Sequence, residues 1–133
     1  MKQTILTQLT EFAKERLALQ TDIQASYETE QFADLPDKVK QIAIESSKQR
    51  IAFDNKLIAL IESGLLTKEL YHKLGAERIK IDDDLRADLR AAELSEADRT
   101  TLNKIHADFK ERELALDAKR REGRAAFDQE YGE

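Results

Sequence analysis

Residues 33–64 read ADLPDKVKQIAIESSKQRIAFDNKLIALIESG, a stretch with a proline near one end and a glycine at the other. Pro36 has no N–H and biases Leu35 away from helix, so it suits a chain break followed by a first helical turn. Asp37 then places a negative charge at the positive end of the new helix. Val39, Ile42, Phe53, Leu57 and Leu60 recur along one helical stripe. Ile44, Ile51 and Ile58 repeat along a second one. At Ser63-Gly64 the glycine can take the left-handed cap that ends a helix. The pattern predicts a helix over about 36–62. Its apolar arc is too wide for a single neighbour. Such a helix belongs at the centre of a bundle, or forms the seam of a homodimer along Ile44, Ile51 and Ile58.

The chain on either side repeats the pattern. Upstream, Ile5, Leu9, Phe12, Leu19 and Ile23 share one face of a helix over about 2–31, widened by Leu6, Ala13 and Leu17. Downstream, Thr67 is the N-cap of a helix over 67–92 whose core stripe is Leu70, Leu74, Ile81, Leu85 and Leu89, with Gly75 as its weak point. Ser95-Glu96-Ala97-Asp98 has the form of a capping sequence and opens a fourth helix over 96–130, with Leu102, Ile105, Phe109 and Leu116 inward. Residues 11–20 (EFAKERLALQ) and 108–117 (DFKERELALD) echo each other. A chain this rich in Leu and Ala gives such an echo without duplication.

Composition agrees. Ala, Leu, Glu, Lys and Arg supply just over half of the 133 residues, the mark of long helices or coiled coil. One proline, four glycines and few β-branched or aromatic residues argue against a sheet. The expected fold is all-α: one domain over 1–133, an antiparallel bundle of four helices in two helical hairpins, with a long C-terminal helix.

Several functional classes are disfavoured. With no cysteine, disulfides, thiol nucleophiles and thiolate metal sites are absent. Twenty-seven acidic against twenty-two basic residues give a net charge of −5. That balance does not suit nucleic acid, whose binders gain affinity by neutralising phosphate. No stretch approaches the roughly 18 apolar residues of a membrane span, and Gln8, Thr10 and Glu11 interrupt any signal-like start. A cytoplasmic protein that binds neither membrane nor nucleic acid is expected.

Candidate chemistry is sparse. Glu69-Leu70-Tyr71-His72 has the E-x-x-H spacing of carboxylate-bridged di-metal bundles. Such a site needs a second copy, and the other histidine, His106, has Asn103 three residues before it. Asp82, Asp83, Asp84 and Asp88 form the densest acidic cluster, yet on a helix only Asp84 and Asp88 share a face. It reads as a solvated face or as a patch for a basic partner. No catalytic constellation, metal site or cofactor motif is found, and the chain is not expected to be an enzyme.

Counting outward from each turn gives two further expectations. Around Asp34 and Leu35, Arg16 falls near Phe53 and Asp54. It either pairs with Asp54 at the bundle edge, fixing register, or extends to water. Around Leu94, Thr67 falls opposite Arg121, so the fourth helix overshoots the third by roughly a dozen residues, about 18 Å. The overshoot follows a basic run, Lys119, Arg120 and Arg121, with Arg124 just beyond, and carries Phe127 and Tyr131 on one face. It admits three readings: a frayed end, a segment folded back across the first hairpin, or a partner-binding arm with aromatic anchors.

A small acidic chain without evident chemistry is expected to act through its surface. The favoured role is a protein-interaction module: an inhibitor, immunity-type neutraliser, chaperone or adaptor whose partner is basic. The alternative is a self-assembling structural protein, dimerised through the second helix. Candidate contact residues are Ile44, Ile51 and Ile58; Arg120, Arg121, Arg124, Phe127 and Tyr131; and Asp83, Asp84 and Asp88.

Overall fold

In a computed structural model describing residues 2–131, the chain forms four helices: α1 (Lys2–Ser26), α2 (Asp37–Glu62), α3 (Lys68–Ala91) and α4 (Glu96–Tyr131). A single 3-10 turn, Glu30–Phe32, lies between α1 and α2. No strand occurs among the described residues, and no helix among them is long and apolar enough to cross a membrane.

The predicted punctuation holds the helices in place. Thr67 Oγ1 accepts from the Leu70 N–H at 3.1 Å, and Ser95 Oγ accepts from the Asp98 N–H at 3.1 Å. Gly64 takes φ +73° at the end of α2. There the Leu65 N–H reaches the Leu60 carbonyl at 3.0 Å and the Gly64 N–H reaches Ile61 at 3.1 Å. These two bonds are the Schellman pattern.

The first helix stops at Ser26, short of the expected 31. Tyr27 and Phe32 explain the difference. Five residues apart, they would sit on different sides of a continuous helix. Leaving the helix lets both turn inward, to 5% and 2% exposure, where they pack with Leu35, Val39, Ala43, Leu102 and Ile105. Burial pushes the Tyr27 phenol up to about 12.

Helix α1 packs on both α2 and α4, and α3 packs on α2, with its first turns also meeting the end of α4. Glu15 with Lys119 (2.8 Å) and Asp22 with Arg112 (2.7 Å) mark the α1–α4 register. The α2–α3 register is marked by Lys56 with Glu77 (3.4 Å) and by Arg50 with Asp82. The interior has three apolar clusters. One is built on Leu9, Leu57, Leu74 and Phe127, one on Tyr27, Phe32 and Ile105, and a smaller one on Phe12, Leu19 and Leu116.

Between the first two clusters runs a charged layer. Arg16 (8% exposed) and Asp54 (0%) pair there at 2.6 Å, inside the bundle rather than at its edge. Arg78 lies over the Phe53 ring in the same layer. Desolvation, reinforced by the neighbouring Arg16 charge, lowers its pKa to about 10.

The overshoot of α4 at its C-terminal end does not occur. His72 meets Asp128 at 2.8 Å and Tyr71 meets Phe127 at 4.2 Å between ring centroids, where equal counting put Thr67 opposite Arg121. Residues 92–95 carry the chain onward instead of reversing it on the spot. Leu94 packs into the second cluster, and Leu102 and Ile105 in the early turns of α4 cover the α1–α2 connection. The far end of α4 then finishes beside the start of α1, with the Lys2 ammonium 4.8 Å from the Tyr131 ring.

Candidate functional site

Helix α3 is the least covered element. Of its expected core stripe only Leu74 is fully buried; Leu70 and Ile81 pack half-buried at the edge of the first cluster, Leu89 at the edge of the second, and half-buried Leu85 joins neither. The cause is topological: α4, which would have covered the open flank of α3, is seated on α1. Beside this stripe, α2 and α3 enclose an open furrow of about 450 Å³. From α2 it is lined by Lys38, Gln41, Ile42, Glu45, Ser46 and Gln49, and from α3 by Ile81, Asp84, Leu85 and Asp88. Each row follows the three- and four-residue spacing of one helix face. A second stretch of about 320 Å³ shares Gln49 and Ile81 and continues along Ala52, Phe53, Lys56 and Glu77.

The floor is apolar, with its polar atoms engaged. Ser46 accepts from the Arg50 guanidinium, which also meets Asp82. The rim of the larger stretch is acidic: Glu45, Asp84 and Asp88 stand against Lys38 alone. Asp84 is also met by Lys80 at 2.8 Å, an exposed pair on one helix face. Such pairs exchange readily with solvent or with another cation. Asp83 lies off the furrow, against Arg86 at 3.1 Å.

The other candidate residues lie elsewhere. Ile44 packs against the second cluster and Ile58 against the first, and Ile51 is half-buried, so this row serves the bundle's own packing at two of its three positions. Phe127 is fully buried at 0% exposure, with Tyr131 stacked on it at 4.2 Å and 6°. The aromatic pair is therefore core and not an exposed anchor.

The basic run is only partly paired within its own helix. Asp117 takes Arg120 at 3.0 Å and Arg121 at 2.6 Å. The hydrogen bond from Arg120, against slight desolvation, holds the Asp117 carboxyl below its usual range. Arg124 donates to His72 Nδ1 at 2.9 Å and lies 3.9 Å from Asp128. A guanidinium cannot accept, so His72 Nδ1 carries a lone pair and Nε2–H donates to Asp128. His106 is exposed, 4.0 Å from Glu113. No group of three or more metal-ligating side chains forms among the described residues.

Sequence reasoning placed Asp84 and Asp88 on one face but missed their partner across the furrow, Glu45, and the apolar floor between them. The signal was available: Ile42 and Glu45 on α2 have the same polar–apolar alternation as Leu85 and Asp88 on α3. Compared with known proteins, the chain matches no family model, no curated protein and no solved structure.

Proposed function

We propose that this chain is a protein-interaction module, acting as an inhibitor, neutraliser, chaperone or adaptor by occupying a partner's surface. The observation that carries the reading is the half-covered apolar stripe of α3 beside an acid-rimmed furrow. A four-helix bundle that needed only its own core would bury that stripe. Ile81, Leu85 and Leu89 each keep one flank in water, and a partner that covers those flanks recovers hydrophobic stabilisation in proportion to the area it buries. Acidic surfaces steer cationic partners and raise their association rate.

Affinity capture from the native host's lysate, with the full chain as bait, tests the proposal. A specific, stoichiometric protein is the expected result. Recovery of a metal or small molecule with no protein overturns it. The self-assembly reading gains nothing from the Ile44, Ile51 and Ile58 row, two of whose members already pack within the bundle.

A further inference from the structure

The furrow's shape and charge say more than that something binds. We infer that the α2–α3 furrow takes an amphipathic helix of a partner protein, apolar on the face that enters and lysine- or arginine-rich on its flanks. The inference rests on the interaction-module reading and deepens it by naming the occupant.

Three observations converge on it. The two lined stretches join through Gln49 and Ile81 into one channel running along α2 from Lys38 to Lys56. At 1.5 Å per residue that is on the order of 27 Å, the length of a helix of about 18 residues. The channel lies between two antiparallel helices, where a third helix seats its ridge of side chains at ordinary interaxial spacing. Finally, Ile42, Ile81 and Leu85 form a floor flanked by Glu45, Asp84 and Asp88, which complements an apolar ridge flanked by cations.

A second copy of this chain fits less well. Two furrows face to face would oppose acid with acid. The chain's own basic run on α4 offers no apolar ridge to enter the furrow, because its aromatic neighbours Phe127 and Tyr131 are taken up by the first cluster.

The test uses the full chain and two fluorescein-labelled synthetic peptides of 18 residues, read by fluorescence anisotropy. Both carry leucine along one helical stripe; one has lysine at the remaining positions and the other glutamate. The lysine peptide is expected to bind in the micromolar range and the glutamate peptide at least tenfold more weakly. Asp84→Asn with Asp88→Asn should weaken the lysine peptide tenfold or more, and so should Leu85→Gln with unchanged helicity by circular dichroism. Asp83→Asn with Asp108→Asn removes equal charge away from the furrow and should change binding less than twofold.

Equal binding of the two peptides, an equal loss in the charge-matched control, or no binding of the lysine peptide overturns the inference. A partner captured from lysate that holds the Asp84→Asn/Asp88→Asn chain as tightly as the wild type also overturns it, while leaving the interaction-module reading intact. Failure to capture any protein, with the peptide results as expected, strikes that broader reading and not the furrow's chemistry.

Discussion

Arg16 and Asp54 meet on a single carboxylate oxygen: Nε at 2.8 Å and Nη2 at 2.6 Å both reach Oδ1, while Oδ2 is buried without a hydrogen bond. The pair is therefore not the two-oxygen fork that gives a buried ion pair its best return. Its removal as a unit and its disruption have different consequences. Arg16→Met alone strands a fully buried carboxylate and is expected to cost about 3–5 kcal/mol. Adding Asp54→Leu should recover most of that loss. Urea denaturation of the two single variants and the double variant checks the cycle, and strict additivity would contradict it.

Phe127 anchors the end of α4 between Tyr71, Tyr131 and the Leu9–Leu74 cluster. Phe127→Ala is expected to cost about 3–5 kcal/mol, as truncation of a fully buried aromatic does. A chain ending at Arg121 should be destabilised at least as much. Thermal unfolding followed by circular dichroism decides this, and an unchanged midpoint would return the segment to the surface.

Two backbone positions carry residues that do not suit them. Gly75 sits inside α3, and a Cβ there would meet only Arg124 Nη1, at 3.6 Å, an ordinary contact. Gly75→Ala should stabilise by about 1 kcal/mol through helix propensity. Glu93 adopts φ +52°, a conformation that costs a non-glycine residue about 1 kcal/mol. Glu93→Gly should recover part of it. Denaturant midpoints read both, and a drop in either contradicts the account.

Tyr27 ties stability to alkaline pH. Its folded pKa of about 12 exceeds the ordinary 10.0, so the unfolded state releases its proton first. Its contribution is complete below about pH 10 and is lost as pH rises towards 12. Arg78, lowered from its usual range to about 10, works in the opposite direction: above pH 10 the folded state sheds its proton first, and stability rises. Tyr27→Phe should therefore resist unfolding better than the wild type at pH 11, relative to their difference at pH 7. Midpoints at the two pH values test the sign.

Much of the architecture was legible because it depends on local chemistry. Thr67, Ser95, Pro36 and Gly64 mark their boundaries through hydrogen bonds or fixed dihedrals within a few residues. Arg16 stands out as a charge in an apolar stripe, and counting outward from Asp34 and Leu35 finds Asp54. The seating of α4 was not legible. Nothing in the composition of residues 92–95 says how far that connection reaches along the bundle. In the sequence the stripe Leu102, Phe109 and Leu116 breaks off at its next position, Gly123. That glycine is no end of the buried face: a Cβ there would stand 3.3 Å from Leu9, so the gap is a close approach of α1 and α4, and Phe127 resumes the stripe one turn later. The furrow was hidden for the same reason, since its openness follows from where α4 goes.

The pairing of α1 with α4 also fixes the order in which the protein can be completed during synthesis. Leu9 and Ala13 leave the ribosome well over a hundred residues before Phe127, which completes the same cluster. Helices α1, α2 and α3 emerge as a sequential, locally connected set, yet the first cluster stays open along one side until residue 127 is clear of the exit tunnel. Until then the face of α1 that receives α4 has no cover from within the chain, and nascent-chain factors have their longest opportunity there.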